Sequence, residues 1–243
     1  MLQHDRLLFI KLIYLTNFHL NPFRYIQYFF YIASNWNLRI AYHIIRKEIS
    51  GEKKYGIQTT GADELSTLEE RGIDIEHATI YMPVSYDLLE DIFAAISIHE
   101  FDHLLDIGSG KGRALCVAAH KGVQQLTGIE ISKEFCELSN KNLAHTASLI
   151  SNIQYKIHNN DAFYFEIPNN VDCIFLFNPF DDVIMSAVLE NIEESLDINP
   201  RKITVIYANP MQKHLFAAYE YKEVYHTQKL KYLEAIVLTK NPG

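Results

Sequence analysis

The segment from Asp106 to Gly112, Asp-Ile-Gly-Ser-Gly-Lys-Gly, constrains the fold of this chain more than any other feature. It follows the apolar residues Leu104 and Leu105 and precedes a helical pattern that starts at Arg113. Glycine is needed where the backbone turns tightly and where a ligand approaches too closely for a Cβ atom. We expect free N–H groups of this loop, together with the helix N-terminus, to face an anionic group of a ligand.

Strand and helix patterns alternate around this loop, which is typical of an α/β protein with a doubly wound parallel sheet. The predicted strands are 104–107, 126–129, 153–157, 173–177, 203–207, 223–228 and 232–238. The last two form an antiparallel pair with a turn around Lys229. The predicted helices are 85–98, 113–120, 133–145 and 183–196.

Residues 1–49 differ from the rest because aromatic and basic side chains are crowded there at near-helical spacing, with a break at Asn21-Pro22. Their helices could pack on the main domain or pair two subunits as a homodimer, cover a substrate, or rest on a membrane interface. The polar, glycine-rich residues 50–62 predict a connecting loop. We expect an N-terminal helical extension and linker at 1–62 and one domain at 63–243.

Composition excludes several classes of function. A formal net charge of -8 argues against a broad nucleic-acid surface. Three cysteines without a Cys-x-x-Cys pair predict a reducing, cytoplasmic environment. No apolar run reaches the roughly 18 residues that a spanning helix needs. The eleven histidines are scattered, so we predict no metal site.

Three cofactor classes use a glycine loop of this kind, and the spacing separates them. A dinucleotide fingerprint needs a small residue where Arg113 stands, and a phosphate-binding P-loop needs different spacing. Alternate glycines after Asp106 fit S-adenosyl-L-methionine best. The backbone of the loop would then wrap the methionine part, with Asp106 near its ammonium group. The loop residues concerned are Gly108, Ser109, Gly110 and Gly112.

Two further elements follow the next strands. Glu130, before Ile131, ends the second predicted strand and can accept hydrogen bonds from two ribose hydroxyls. An acidic residue there also suits a dinucleotide. Asp161, before Ala162, follows the third strand and can accept from an adenine amino group. Turn chemistry alone would also favour this Asn-Asp sequence.

A fourth element is Asn178-Pro179-Phe180, at the carboxyl end of the fourth predicted strand, where ligands bind in open parallel sheets. Asn178 can accept from the N–H of a nucleophile or hold the cofactor, Pro179 stiffens the loop, and Phe180 offers a ring face to a substrate. An ordinary turn is the alternative. The combination of four elements in order is stronger than any one of them.

This order of motifs resembles the class I S-adenosylmethionine-dependent methyltransferases over residues 80–240. More narrowly, five segments resemble a bacterial branch: Gly56-Ile57-Gln58-Thr59-Thr60-Gly61, Tyr81-Met82-Pro83, Asp106–Arg113, Gly128-Ile129-Glu130 and Phe177-Asn178-Pro179-Phe180. That branch has Gly-Ile-Asp-Thr-x-Gly and Tyr-x-Pro segments before a Gly-x-Gly-Lys-Gly-Arg loop. The resemblance implies a Rossmann-like, seven-stranded sheet, S-adenosyl-L-homocysteine as product, and Tyr81 and Pro83 over the methionine end of the cofactor.

Methyl transfer chiefly requires that acceptor, methyl group and sulfur be aligned, and a base only if the acceptor arrives protonated. Our catalytic candidates are therefore Asn178 and Tyr81, and our substrate contacts are Pro179, Phe180 and Tyr86. Amino-group methyltransferases of the nucleic-acid type carry Asn or Asp, two prolines and an aromatic residue, and Asn178-Pro179-Phe180 departs from that family pattern by its single proline. The resemblance therefore disfavours a nucleobase nitrogen and leaves a small molecule or a protein side chain as acceptor.

Two other functions remain open at this point. A binding module could keep the nucleotide fold as a sensor or scaffold without turnover. An NAD-linked oxidoreductase would bind NAD and would tolerate Gly112→Ala.

Overall fold

The computed structural model describes residues 22–61, 82–177, 180–231 and 233–242. Within these ranges the helices are α1 (Pro22–Asn35), α2 (Leu38–Tyr55), α3 (Tyr86–Ala95), α4 (Arg113–His120), α5 (Lys133–Leu149) and α6 (Asp182–Ile198). The strands are β1 (His103–Ile107), β2 (Gln125–Glu130), β3 (Gln154–Asn159), β4 (Cys173–Phe177), β5 (Ile203–Ala208), β6 (Lys222–Lys229) and β7 (Leu233–Lys240). Short 3₁₀ turns lie at Ile98–Glu100, Ala162–Tyr164 and Lys213–Tyr219.

The seven strands form one sheet in the order β3-β2-β1-β4-β5-β7-β6. The pairs among β1 to β5 are parallel, whereas β7 is antiparallel to both β5 and β6. This arrangement confirms the predicted doubly wound sheet and its antiparallel closing pair. The strand order reverses between β1 and β4, and the crevice at such a switch point is where ligands bind in this architecture.

Apolar clusters cover both faces of the sheet, which explains why the sequences of its parallel strands are continuous apolar runs. Leu104 belongs to a cluster that includes buried residues of α3, α4 and α5. Its neighbour Leu105 points to the opposite face and packs with buried residues of α6. Because α4 is buried along nearly its whole length, the loop that precedes it is held firmly against the sheet.

The predicted loop at 50–62 is wrong for residues 50–55, because α2 continues to Tyr55. Gly51 lies inside this helix and does not break it. A Cβ atom at this position would approach Cγ of Tyr86 to 2.2 Å, so the packing of the ring explains why the residue is glycine. The helix ends at Gly56, whose φ of 67° needs no strain in glycine. The helix predicted at 85–98 is also shorter than expected and ends at Ala95.

The N-terminal extension is helical over its described part, as predicted, and α1 begins at Pro22 after the expected break. The predicted helical pattern in residues 1–21 lies outside the described residues. The hairpin of α1 and α2 has its own small apolar core, formed by Tyr28, Ile32, Ile40, Ala41 and Ile44. In the described ranges, no helix combines the length and hydropathy that crossing a membrane would require.

The cysteines are buried free thiols that lie within the packed elements, as expected for small apolar side chains. Burial raises the pKa of Cys116 to about 12, so this side chain stays a neutral thiol.

Candidate cofactor site

The backbone angles of the loop between β1 and α4 explain why three of its residues are glycines. Gly108, Gly110 and Gly112 have φ angles of 78°, 52° and 79°, all in the left-handed region. A side chain at such positions costs about 1–2 kcal/mol in each residue. Three left-handed residues at alternate positions therefore account for the three glycines.

Four backbone N–H groups of this loop already have protein partners, which corrects the expectation from sequence that they face a ligand. Gly108 and Ser109 both donate to the carbonyl of Ile129 at 2.9 Å, and Gly112 donates to the carbonyl of Ser109 at 2.9 Å. Gly110 donates to Oε2 of Glu130 at 2.8 Å. Left-handed glycines without Cβ atoms instead allow a ligand to approach the backbone closely.

Glu130 and Asp106 form a pair of buried carboxyl groups beside this loop. Glu130 is 8% exposed, and its Oε1 accepts from the N–H of Ser132 at 2.8 Å. Burial raises the pKa of Glu130, although its backbone hydrogen bonds act in the other direction. Asp106 is 3% exposed; burial, followed by the charge of Glu130, raises its pKa well above the usual range. A cation would relieve this cost.

Asp161 is at the neighbouring strand end, where it caps a 3₁₀ turn. Its Oδ1 accepts from the N–H of Phe163 at 2.9 Å, so the turn chemistry noted in the sequence is present. Asn159 fastens this region to β2 because its Nδ2 donates to the carbonyls of Glu130 and Ile131 at 3.1 and 2.7 Å. The structure thus groups Glu130, Ile131 and Asp161 at one edge of the sheet.

The acceptor side is described only in part. Phe180 is half-buried and packs against the apolar cluster that includes α6. Tyr81, Asn178 and Pro179 lie outside the described residues. Pro83 is buried and precedes Val84, whose carbonyl accepts from Nη1 of Arg113 at 2.7 Å. The Tyr-x-Pro segment is therefore linked at its end to the first residue of α4.

Arg113 is the centre of a buried ionic network that the sequence did not reveal. Its side chain is 4% exposed, and its Nη1 and Nη2 atoms donate to the two carboxylate oxygens of Glu48 at 2.7 and 2.5 Å. Its Nε donates to Oγ1 of Thr59 at 2.8 Å. The guanidinium also lies over the ring of Tyr86, 4.0 Å from the centroid. This arginine is thus held on every side by protein groups.

Glu52 extends the same network one helical turn further along α2. Its Oε1 accepts from the N–H groups of Thr59 and Thr60 at 2.6 and 2.7 Å, and its Oε2 accepts from the hydroxyl of Tyr25. Thr60 donates from Oγ1 to Glu48 at 2.7 Å. The Gly-Ile-Gln-Thr-Thr-Gly segment therefore contacts Arg113 through Thr59 and the carboxylate that holds Arg113 through Thr60, which gives a physical reason for the two motifs to occur together.

Tyr86, predicted as a substrate contact, is only 2% exposed. Its ring stacks on Tyr55 with centroids 5.7 Å apart, and its hydroxyl is 3.1 Å from Oγ1 of Thr59. The described surroundings of Tyr86 are thus protein groups, with Arg113 on the ring face.

Comparisons with known proteins agree with this architecture. A family model described as a methyltransferase domain matches residues 104–199, from β1 to the end of α6. The Escherichia coli protein yhhF, assigned as a methyltransferase, has 14% identity and a TM-score of 0.50 over 67% of this chain and 92% of its own. A protein of Haemophilus influenzae assigned as a methylase has 20% identity and a TM-score of 0.49 over 64% and 97%. No curated protein sequence matches the chain.

A further solved structure contains the cofactor. Magnesium protoporphyrin IX methyltransferase of Synechocystis PCC 6803, with S-adenosylmethionine bound, has 12% identity and a TM-score of 0.49 over 63% of this chain and 77% of its own. Identities this low show likeness of fold alone.

The match over residues 104–199 identifies this part of the chain as a methyltransferase domain, built on a seven-stranded sheet with a glycine loop after β1. A methyltransferase domain transfers a methyl group to an acceptor.

Proposed function

We propose that S-adenosylmethionine binds at the carboxyl ends of β1, β2 and β3, and that its methyl group passes to a small molecule or a protein side chain held beyond β4. The observation that carries this proposal is the pair of buried carboxyl groups, Asp106 and Glu130, beside a left-handed glycine loop. When bound, the cofactor supplies an activated methyl group on a sulfonium. The protein has to align the acceptor and exclude water.

The residues present suit this cofactor better than a dinucleotide. A pyrophosphate needs N–H donors and tolerates carboxylates poorly, yet four N–H groups of the loop already have protein partners. An ammonium group suits Asp106, and ribose hydroxyls can donate to Glu130. Both interactions offset the cost of burying these carboxyl groups.

The remaining cofactor contacts follow from their positions in the chain. We infer that the backbone of Gly108, Ser109, Gly110 and Gly112 surrounds the methionine part, and that Ile131, Asp161 and Ala162 line the adenine side. Tyr81 and Pro83 would cover the methionine end. The link from Val84 to Arg113 supports this, because it brings the segment to the start of α4.

On the acceptor side, we propose that Asn178 orients the nucleophile, with Tyr81 beside it, and that Pro179 and Phe180 border the acceptor. We infer that Tyr86 positions Arg113, because the guanidinium lies over its ring and its hydroxyl is within hydrogen-bond distance of Thr59. The Gly-Ser-Gly-Lys-Gly-Arg loop, linked through Arg113 to Thr59, supports assignment to the bacterial branch that it resembles.

The wider organisation of the chain remains a proposal. We infer an N-terminal extension at 1–62 and a catalytic domain at 63–243, in a cytoplasmic protein. The net charge of -8 supports a small-molecule or protein acceptor over a nucleic acid. A homodimer would appear in light scattering as twice the mass of one chain.

Glu130→Gln is expected to weaken the binding of S-adenosylmethionine about 10- to 100-fold. A charged hydrogen bond contributes roughly 1.5–3 kcal/mol, and the amide has one oxygen in place of two. Calorimetric titration measures the change, and Glu137→Gln, at an exposed position of α5, is the matched control. Equal affinities of Glu130→Gln and the control, in folded proteins, would refute the ribose assignment.

Cofactor affinity is expected to rise with pH. Because burial raises the pKa of Asp106, its carboxyl keeps a proton at pH values where an ordinary aspartate is ionised. An adjacent ammonium favours the ionised form, so binding releases a proton and strengthens as pH rises through the raised pKa. Titrations between about pH 5 and 8, in buffers of different ionisation enthalpy, count the protons.

Asp106→Asn is the control for this pH dependence. It should bind the cofactor more weakly and without proton release at Asp106. If the wild-type protein releases no proton and Asp106→Asn binds equally well, Asp106 does not face the ammonium group.

A further inference from the structure

The second half of the glycine loop is held by residues that lie far away in the chain. The first half is fixed by β2, whose last two residues accept from the N–H groups of residues 108–110. In the second half, the carbonyl of Lys111 accepts from Nδ2 of Asn142 on α5 at 2.9 Å. Arg113, which follows the loop, donates from Nε to Oγ1 of Thr59 at 2.8 Å. The end of the loop is therefore attached to α5 and to the segment that follows α2.

Residues 56–61 connect these two attachments. The N–H of Gln58 donates to Oδ1 of Asn142, and the carbonyl of Gln58 accepts from Nδ2 of the same side chain, both at 3.4 Å. The next residue is Thr59, which is 0% exposed and contacts Arg113. Segment 56–61 therefore reaches the glycine loop at two points, through the amide of Asn142 and through the hydroxyl of Thr59.

Segment 56–61 is itself fixed on α2 and on the core of the protein. Oε1 of Glu52 accepts from the N–H groups of Thr59 and Thr60 at 2.6 and 2.7 Å. Ile57 is 1% exposed and belongs to the apolar cluster that includes buried residues of α3, α4 and α5. All of these contacts are made within the protein, so the segment can support the glycine loop before a ligand arrives.

Support of this kind matters because the loop contains three glycines. Glycine has more backbone freedom than other residues, so a loop of this composition loses much conformational entropy when it is ordered. Contacts that order the loop in advance remove this cost from the binding step and raise the affinity for a ligand. The two attachments, at Lys111 and Arg113, lie on either side of Gly112 and restrain the residue whose φ is 79°.

We propose that Thr59 and Asn142 are positioning residues, which hold the glycine loop in the left-handed conformation that binds S-adenosylmethionine; this role rests on the proposed function. Thr59 acts through Arg113, and Asn142 acts through Lys111. Segment 56–61 precedes the matched methyltransferase domain at 104–199, so a part of the chain outside that match contributes to cofactor binding.

Calorimetric titration of the full chain with S-adenosylmethionine tests this role. Thr59→Val removes the hydroxyl and keeps the size of the side chain, so the dissociation constant should rise about tenfold. Thr59→Ser keeps the hydroxyl, and its dissociation constant should stay within about twofold of the wild-type value. Asn142→Leu, which removes the donor to Lys111, should also weaken binding about tenfold. Circular dichroism checks that each variant is folded at the temperature of the titration.

Ser195→Ala is the matched control. Oγ of Ser195, a residue of α6 that is 2% exposed, accepts from Nη2 of Arg201 at 2.9 Å. This hydroxyl also binds a guanidinium, but Arg201 precedes β5 and therefore lies at the amino edge of the parallel strands, opposite the glycine loop. Ser195→Ala should lower the melting temperature and leave cofactor affinity unchanged. Wild-type affinity in Thr59→Val, an equal loss in Ser195→Ala, or a loss in Thr59→Ser as large as in Thr59→Val overturns the proposal.

Hydrogen exchange in the absence of cofactor measures the restraint on the loop itself. Peptides that cover residues 106–113 should exchange at least about threefold faster in Thr59→Val and Asn142→Leu than in the wild-type chain, whereas peptides from α6 should not change. Unchanged exchange of the loop peptides in Thr59→Val refutes the positioning role and leaves the cofactor assignment standing. A folded wild-type chain that binds no S-adenosylmethionine refutes the cofactor assignment and, with it, the role of both residues in binding.

Discussion

Arg113→Met is expected to destabilise the protein by about 3–5 kcal/mol, because it leaves Glu48 as a buried carboxylate without its partner. This is a large part of the roughly 5–15 kcal/mol that holds a typical domain together. Denaturant unfolding measures the loss. Arg39→Met, at an exposed arginine of α2, is the matched control and should change the free energy of unfolding little.

The free energy of unfolding of Arg113→Met should depend on pH through Glu48. Burial already raises the pKa of Glu48, and Arg113 opposes that rise. Without the arginine, the folded-state pKa of Glu48 lies further above its unfolded value. Stability is then greatest at low pH and falls as pH rises from the ordinary glutamate range through the raised pKa.

The double variant Glu48→Gln with Arg113→Met decides whether the charge of Glu48 is responsible. Since the buried carboxylate is gone, the double variant should be more stable than Arg113→Met at neutral pH. Should the two variants unfold at the same denaturant concentration, the ionic pairing is not what stabilises this region.

Gly112→Ala has the second large expected effect, at least about 2 kcal/mol of stability together with loss of cofactor binding. The φ of 79° strains any residue with a Cβ atom, and that Cβ would lie 2.4 Å from Oγ of Ser139. Gly61→Ala is the matched control, because its φ is 124° but no atom of the described residues lies within 4 Å of the added Cβ. The control therefore reports strain without the clash.

Removing the hydroxyl of Ser139 should restore part of the stability that Gly112→Ala loses. Gly112→Ala combined with Ser139→Ala eliminates the shortest contact and leaves the backbone strain, so intermediate stability is expected. A Gly112→Ala protein that stays stable and binds NAD would instead support an oxidoreductase.

The sequence predicted the sheet well because the physical signal is local and strong. The residues of β4 were predicted with the observed limits, Cys173–Phe177, since a strand covered on both faces is an uninterrupted apolar run. The three glycines predicted a tight loop because left-handed backbone strongly favours glycine, which is again a local signal.

Features that depend on distant contacts could not be predicted in this way. Glu48 and Glu52, four residues apart on a helix, usually indicate a solvated face, and only the fold brings Arg113 to them, 65 residues away from Glu48. Likewise, Gly51 indicated a loop in the sequence, because the packing of the Tyr86 ring against it depends on a contact between distant residues. The hydrogen bonds that occupy the loop N–H groups come from Ile129 and Glu130 on the next strand.

Calorimetric titration of the wild-type chain tests the cofactor assignment most directly. We expect one S-adenosylmethionine bound for each chain, with a dissociation constant below about 1 mM and displacement by S-adenosylhomocysteine. Glu130→Gln should weaken this binding. Absence of binding at millimolar S-adenosylmethionine, with the chain shown to be folded, would refute the cofactor assignment.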